Sequence, residues 1–330
     1  MPDLNLDVVG IGNALVDVIT PCDDEFVTSH GVVKGSMTLI DTDRAESLYR
    51  AMGPGVEMSG GSAANTMTGI ASFGGRAGYV GKIAADQLGD VFAHDLRAVG
   101  VAFESQPARL GVPTGRSLIL VTPDAQRTMN TYLGVAELLN PGDIDDAFVA
   151  SGRVTYLEGY LWDRPEAMEA YRKAAAITHS AGGKVALTLS DSFCVERHRE
   201  AFLDLVAEEV DILFANEAEI TALFEVAHFD HALIEVRRLC EVAALTRSER
   251  GSVVAVDDEV VAVDAAPVER VADTTGAGDL YAAGFLFGFT QGYDLPTCGR
   301  LASVAAAEVI THVGARPLTS LARLAERYLP

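Results

Sequence analysis

Short β-branched apolar runs alternate with stretches of helical period along most of the chain, and this alternation constrains the fold more than any single residue does. The spacing predicts strands over 7–11, 77–81, 154–157, 185–189, 212–215, 243–246 and 253–256. Amphipathic segments over 63–73, 88–99, 165–180 and 217–224 lie between them. Three apolar helical runs, 277–289, 295–312 and 318–328, close the chain. Strands joined by helices return parallel to one another, so the pattern implies an α/β protein: a mainly parallel sheet with helices on both faces. Two stretches break the rhythm. The pair 15–19 and 37–41, and the pair 117–122 and 128–133, read as strands with no helix between the members. Asp124 and Gln126 form a polar turn in the second pair, as in a hairpin. A small antiparallel sheet projecting from the α/β body would serve as a lid that excludes water from a reacting centre. No linker or repeat divides the chain, so 1–330 reads as a single domain with a lid built from about 13–42 and 102–134.

Composition narrows the function classes. The chain has 330 residues, 49% of them hydrophobic, ample for a large core. Its 47 acidic and 25 basic residues leave a net charge of −22, which repels nucleic acid and anionic lipid. Four scattered cysteines (Cys22, Cys194, Cys240 and Cys298) have neither disulfide-frame nor zinc-site spacing. The first residues, MPDLNLDVVGIG, carry acids where a signal peptide needs basic residues. With no run of about 18 apolar residues either, a cytoplasmic protein is expected.

Four segments carry candidate chemistry. The sharpest is Asp273-Thr274-Thr275-Gly276-Ala277-Gly278-Asp279, directly before an apolar helix. Small residues there leave the first N–H groups bare and converging, an anion hole suited to a transferring phosphoryl group. Asp279 falls in the first turn, where the helix dipole keeps a carboxylate ionised and able to accept a proton. An ordinary helix start capped by Asp273 or Thr275 is the plainer alternative. The second segment is Ser59-Gly60-Gly61-Ser62-Ala63-Ala64-Asn65: either a plain glycine turn, or a close backbone approach to a ligand with Asn65 offering donor and acceptor to a hydroxyl pair.

The third segment, Gly10-Ile11-Gly12-Asn13-Ala14-Leu15-Val16-Asp17, begins like a dinucleotide fingerprint. Leu15 stands where the third glycine belongs, and a strand-like alternation follows where a helix is required. A strand end presenting Asn13 and Asp17 to a polar ligand is the better account. The fourth, Asn216-Glu217-Ala218-Glu219, follows a buried-type strand, at the carboxyl end where open α/β sheets bind ligands. Asn216 and Glu219 share a helix face, so they either cap that helix or place a carboxylate to hold Mg²⁺ through water. Phosphate-loop, nucleophile-elbow and metal-helix motifs are missing.

GGSAAN, NEAE and DTTGAGD, in this order, resemble the ribokinase (PfkB-type) carbohydrate kinase family, and the likeness runs from about Gly10 to about Pro317. The resemblance implies a ribokinase-like three-layer α/β/α fold with a β-sheet lid. Within the family the chain is most similar to the adenosine kinases, on GNALVD (12–17), DAQRTMNTYLG (124–134), TLSDSF (188–193), VDILFANEAE (210–219) and THVGARP (311–317). The implied reaction is ATP-dependent phosphorylation of the adenosine 5′-hydroxyl, or of a free sugar or another nucleoside. By this likeness Asp279 matches the catalytic base, and the N–H groups of Gly276, Ala277 and Gly278 match the anion hole. Arg127 falls on the lid arginine that closes over the phosphate. Asp17 is implied to bind the ribose hydroxyls, with Asn13, Gly61, Ser62 and Asn65 beside it, and Leu133, Tyr160 and Phe193 walling the nucleobase.

Asn216 and Glu219 match the motif governing Mg²⁺ and phosphate. Asp273 and Thr275 resemble positions lining a K⁺ site completed by carbonyls near Val309 and Gly314, and Thr274 belongs to the nucleotide side. The ATP loop, T-x-G-x-x-G in the family, here runs from Thr246 to Gly251 with Ser248 replacing the middle glycine. The implied partners are ATP and a nucleoside or sugar, with no nucleic acid or membrane, in a monomer or homodimer.

Overall fold

The structure, a computed structural model, describes residues 5–124, 126–257 and 259–329. Its strands are β1 (Leu6–Ile11), β2 (Leu15–Pro21), β3 (Met37–Leu39), β4 (Val56–Gly60), β5 (Ala77–Val80), β6 (Ala102–Phe103) and β7 (Gly115–Val121). They continue with β8 (Arg127–Tyr132), β9 (Gly152–Glu158), β10 (Lys184–Thr188), β11 (Ile212–Asn216), β12 (Val242–Thr246), β13 (Ser252–Val256) and β14 (Glu259–Val263). One sheet has the order β14-β13-β12-β11-β10-β9-β1-β5-β6 and the other β3-β8-β7-β2-β4. The seven strands from β12 to β6 are parallel, while β13 and β14 turn back antiparallel. This is the ribokinase-like architecture expected.

The long parallel strands form because their apolar runs satisfy both faces of a buried sheet. Val8 packs into the core with Met67, Phe92, Phe285 and Leu301, from the helices Ser62–Ser72, Gln87–Ala98, Ala277–Thr290 and Leu295–Val309. Val9 and Ile11 point the other way, to Tyr171, Phe202, Leu223 and Phe229 of the helices Pro165–Ser180, Ser192–Glu208, Glu217–Phe224 and Phe229–Val236. Each such large apolar side chain contributes roughly 1.5–3 kcal/mol on burial. The final helical run is shorter than its apolar pattern, spanning only Leu321–Ala325.

The second sheet departs from expectation in three ways. Its 117–133 hairpin is present as antiparallel β7 and β8, but β2 runs parallel to β7 and β3 parallel to β8, so the sheet is mixed rather than antiparallel. A short helix, Asp24–Ser29, capped by Asp23, sits between β2 and β3. Only Val27 of that helix is buried, which leaves no periodic apolar face to read. The edge strand β4 pairs antiparallel with β2 and brings Gly60 opposite Leu15. It lies outside the two segments assigned to the lid.

Candidate active site

Parallel strands end together, and here their carboxyl ends gather the chemistry. Glu158 and Thr188 are register partners at the ends of β9 and β10, and Asn216 and Thr246 at the ends of β11 and β12. Asn13 follows β1, and the loop carrying Gly276 and Asp279 opens the helix Ala277–Thr290.

Gly276 caps that helix with φ +80°, and a Cβ there would lie 2.7 Å from Ala315 Cα, so only glycine fits. The Ala277 N–H is occupied by the Thr274 carbonyl at 3.2 Å. Among the described residues the N–H groups of Gly276 and Gly278 have no such acceptor. Nothing lies within 4 Å of the place a Gly278 Cβ would take, so that side of the turn is open. Asp279 Oδ1 accepts from Ser62 Oγ at 2.7 Å and Oδ2 from Asn65 Nδ2 at 3.0 Å. Burial pushes its carboxyl above the ordinary range, and these two hydrogen bonds pull it back.

Asp17, on β2, lies against Gly60: a Cβ there would stand 2.6 Å from the Asp17 carboxyl atoms. Its carboxylate accepts no hydrogen bond from the described residues. Burial raises its pKa to about 6, the Arg127 and Arg316 guanidiniums lower it, and Asp279 raises it further. One short segment thus meets both acids: Gly60 lies against Asp17, while Ser62 and Asn65 hold Asp279. Asn13 is buried there as well, its Nδ2 donating to Glu158 Oε1 at 2.8 Å while its Oδ1 has no partner. The other Glu158 oxygen accepts from the Ala63 N–H at 2.9 Å, and burial pushes this carboxyl up to about 7.

Arg127, at the start of β8, forms a buried ion pair with Asp273. Asp273 also accepts from the Thr275 N–H at 3.0 Å and hydroxyl at 2.7 Å, and from the Gly314 N–H at 3.1 Å. The cation beside Asp273 is thus the Arg127 guanidinium, and the carboxylate that the family likeness gives to K⁺ is already satisfied by protein donors. Thr274 is exposed at the rim.

Asn216 and Glu219 form a reciprocal cap on the helix Glu217–Phe224. The Glu219 N–H donates to Asn216 Oδ1 at 2.9 Å, the Asn216 N–H to Glu219 Oε2 at 2.9 Å, and Asn216 Nδ2 to Glu219 Oε1 at 2.6 Å. Both Glu219 oxygens are occupied, and burial lifts its pKa to about 7. No group of three or more His, Cys, Asp or Glu gathers to hold a metal among the described residues. The pair as it stands is a helix cap, not a metal cage. In the loop after Thr246, Ser248 takes a left-handed φ of +53° and Gly251 one of +76°. Ser248 therefore occupies a left-handed conformation that favours glycine. Of the three residues expected to wall the base, Leu133 is half-buried and the Tyr160 hydroxyl donates to the Ser190 carbonyl at 3.2 Å. Phe193 stands 70% exposed and meets solvent, not a closed pocket.

Two site residues escaped the sequence reading. Glu158 closes β9, so its place at a strand's carboxyl end was the available signal. Arg316 lies in THVGARP and donates to Asn65 and Ser59.

Comparison with known proteins gives the same picture. The chain is 55% identical to adenosine kinase from Sinorhizobium meliloti, with TM-score 0.91 over 98% of this chain and 100% of that one. It is 49% identical to a probable sugar kinase protein from Rhizobium etli CFN 42, with TM-score 0.92 over 99% of both chains. A nucleoside kinase from Methanothermobacter thermautotrophicus is 28% identical over 258 residues, covering 78% of this chain and 80% of that protein. Fold and site together define a phosphotransferase with an alcohol group as acceptor. The family model for pfkB family carbohydrate kinases matches residues 30–321, and the chain belongs to that family. It is a sugar or nucleoside kinase. No helix among the described residues is long and apolar enough to cross a membrane.

Proposed function

We propose that the protein transfers the γ-phosphate of ATP to the 5′-hydroxyl of adenosine, giving AMP and ADP. The supporting observation is two carboxylates met by one segment: Asp279, held by Ser62 and Asn65, and Asp17, packed against Gly60 and accepting no hydrogen bond from the described residues. Asp17 accepts from the ribose 2′- and 3′-hydroxyls, as an unpaired carboxylate at a polar site does. Asn13 offers its unpartnered Oδ1 beside it. With the ribose so anchored, the 5′-hydroxyl meets Asp279, which takes its proton as the oxygen attacks phosphorus in line and the β–γ bridging bond breaks.

The Gly276 and Gly278 N–H groups stabilise charge on the transferring oxygens. Arg127, once released from Asp273, adds its guanidinium to the same oxygens. Aligning nucleophile and phosphoryl group can supply up to about 7–11 kcal/mol of the barrier. Magnesium on the nucleotide supplies further neutralisation when bound. Thr246, Ser248 and Gly251, with Asn216 beside them, form the nucleotide side, and Leu133 and Tyr160 form the base side. The 55% identity to an adenosine kinase favours adenosine over a free sugar.

A coupled ADP-release assay across adenosine, guanosine, inosine, ribose and fructose tests the reading. Adenosine turns over with the highest kcat/KM; a higher value for ribose or fructose overturns it.

A further inference from the structure

Arg316 touches both arms of the acceptor site although it comes from the segment after the helix Leu295–Val309. Its Nε donates to Asn65 Oδ1 at 3.3 Å and its Nη1 to Ser59 Oγ at 2.6 Å. Ser59 is itself fixed by Asp95, whose Oδ2 accepts from the Ser59 N–H at 2.9 Å and from its hydroxyl at 3.1 Å. Asn65 is buried and its side chain has two chemically opposite ends. The oxygen end meets Arg316 and the amino end meets Asp279 Oδ2. Turned over, the amide would set its oxygen against a carboxylate and its amino group against a guanidinium, two repulsive contacts in place of two hydrogen bonds.

We propose that Arg316 is a positioning residue for phosphoryl transfer: it locks the Asn65 amide, and through it the Asp279 carboxylate, in the orientation that meets the acceptor hydroxyl. The inference rests on the kinase reading above. Arg316 Nη2 is buried with no partner among the described residues, so the contacts to Asn65 and Ser59 hold the guanidinium in place at the cost of one unmet donor.

The test uses the full chain and four variants: Arg316→Met, Arg316→Lys, Asn65→Ala and the double variant Arg316→Met/Asn65→Ala. Turnover is measured with the acceptor the wild type prefers, nucleoside affinity by calorimetry and stability by thermal unfolding. Arg316→Met is expected to lower kcat on the order of 10- to 100-fold, the scale of a displaced catalytic group, with affinity nearly unchanged. The double variant is expected to fall no further than the worse single one, because both act through one chain of contacts. Arg316→Lys recovers part of the loss and replaces the methionine variant should that one not fold. Unchanged kcat, multiplicative losses in the double variant, or a lowered Tm without loss of turnover each overturn the proposal. A wild type that prefers a free sugar sinks the adenosine reading while leaving Arg316 testable; a wild type that phosphorylates none of the acceptors sinks both.

Discussion

Arg127 of the small sheet and Asp273 of the loop before the helix Ala277–Thr290 form an ion pair with both side chains buried, so one contact joins the small sheet to that helix start. On the proposed function, this arginine stands beside the helix start that would receive the phosphate. Removing one member of such a pair strands a buried charge and costs about 3–5 kcal/mol, while replacing both with apolar side chains is far milder. Asp273→Ala is therefore expected to lose stability on that scale, and Arg127→Met/Asp273→Leu to recover most of it. Urea unfolding measures both, and equal losses in the two variants would mean that the pair carries no such coupling.

Asp279 has both oxygens held by neutral donors, which orient it without removing its charge. Asp279→Asn is expected to lower kcat by at least about 10²-fold, as loss of a general base does. Calorimetric binding of adenosine should persist, since Asp17 and Asn13 remain. Near-normal turnover would take the base role away from Asp279.

Burial gives Asp17 a folded-state pKa of about 6 against an ordinary 3.8. Its ionised form is the hydroxyl acceptor, so kcat/KM for adenosine is expected to fall as pH drops through about 6. Stability runs the other way. The folded state holds this proton more tightly than the unfolded chain, so the contribution to stability is full below about 3.8 and is lost as pH rises through about 6. Asp17→Asn removes that loss, and its Tm relative to wild type should rise between pH 5 and pH 8 while nucleoside binding is impaired. A flat Tm difference across that range would place the Asp17 carboxyl in an ordinary aqueous environment.

The parallel strands were legible because burial on both faces demands unbroken apolar runs such as 212–215. The edge strand Val56–Gly60 was not, because only its last two residues are buried and the rest carries no alternation. In the site, Ser62, Asn65 and Asp279 stood in recognisable segments, yet what joins them is long-range. Arg316 meets Asn65 across 251 residues of chain and Asn13 meets Glu158 across 145, contacts that only the closed sheet creates. Local spacing likewise reads Asn216 and Glu219 equally well as a cap or as metal ligands; their three mutual hydrogen bonds exist only once the helix forms.

Gly61 is where the glycine pair earns its place in the sequence. It holds φ +94°, a conformation costly for any residue with a side chain, and a Cβ there would lie 2.2 Å from the Asn13 carbonyl oxygen. That oxygen belongs to rigid backbone beside the buried Asn13–Glu158 contact, so it cannot move aside cheaply. Gly61→Ala must either distort the start of the helix Ser62–Ser72, which carries Ser62 and Asn65 to Asp279, or push Asn13 away from the acceptor site. Both routes damage catalysis as well as folding. The strain alone is expected to cost about 1–3 kcal/mol, and the adenosine KM should rise together with a fall in kcat. Gly74→Ala has a similar backbone angle, φ +90°, but open space around the new methyl group. It is expected to lose stability with unchanged kinetics, and equal kinetic damage in both variants would show that the collision with Asn13 has no bearing on the site.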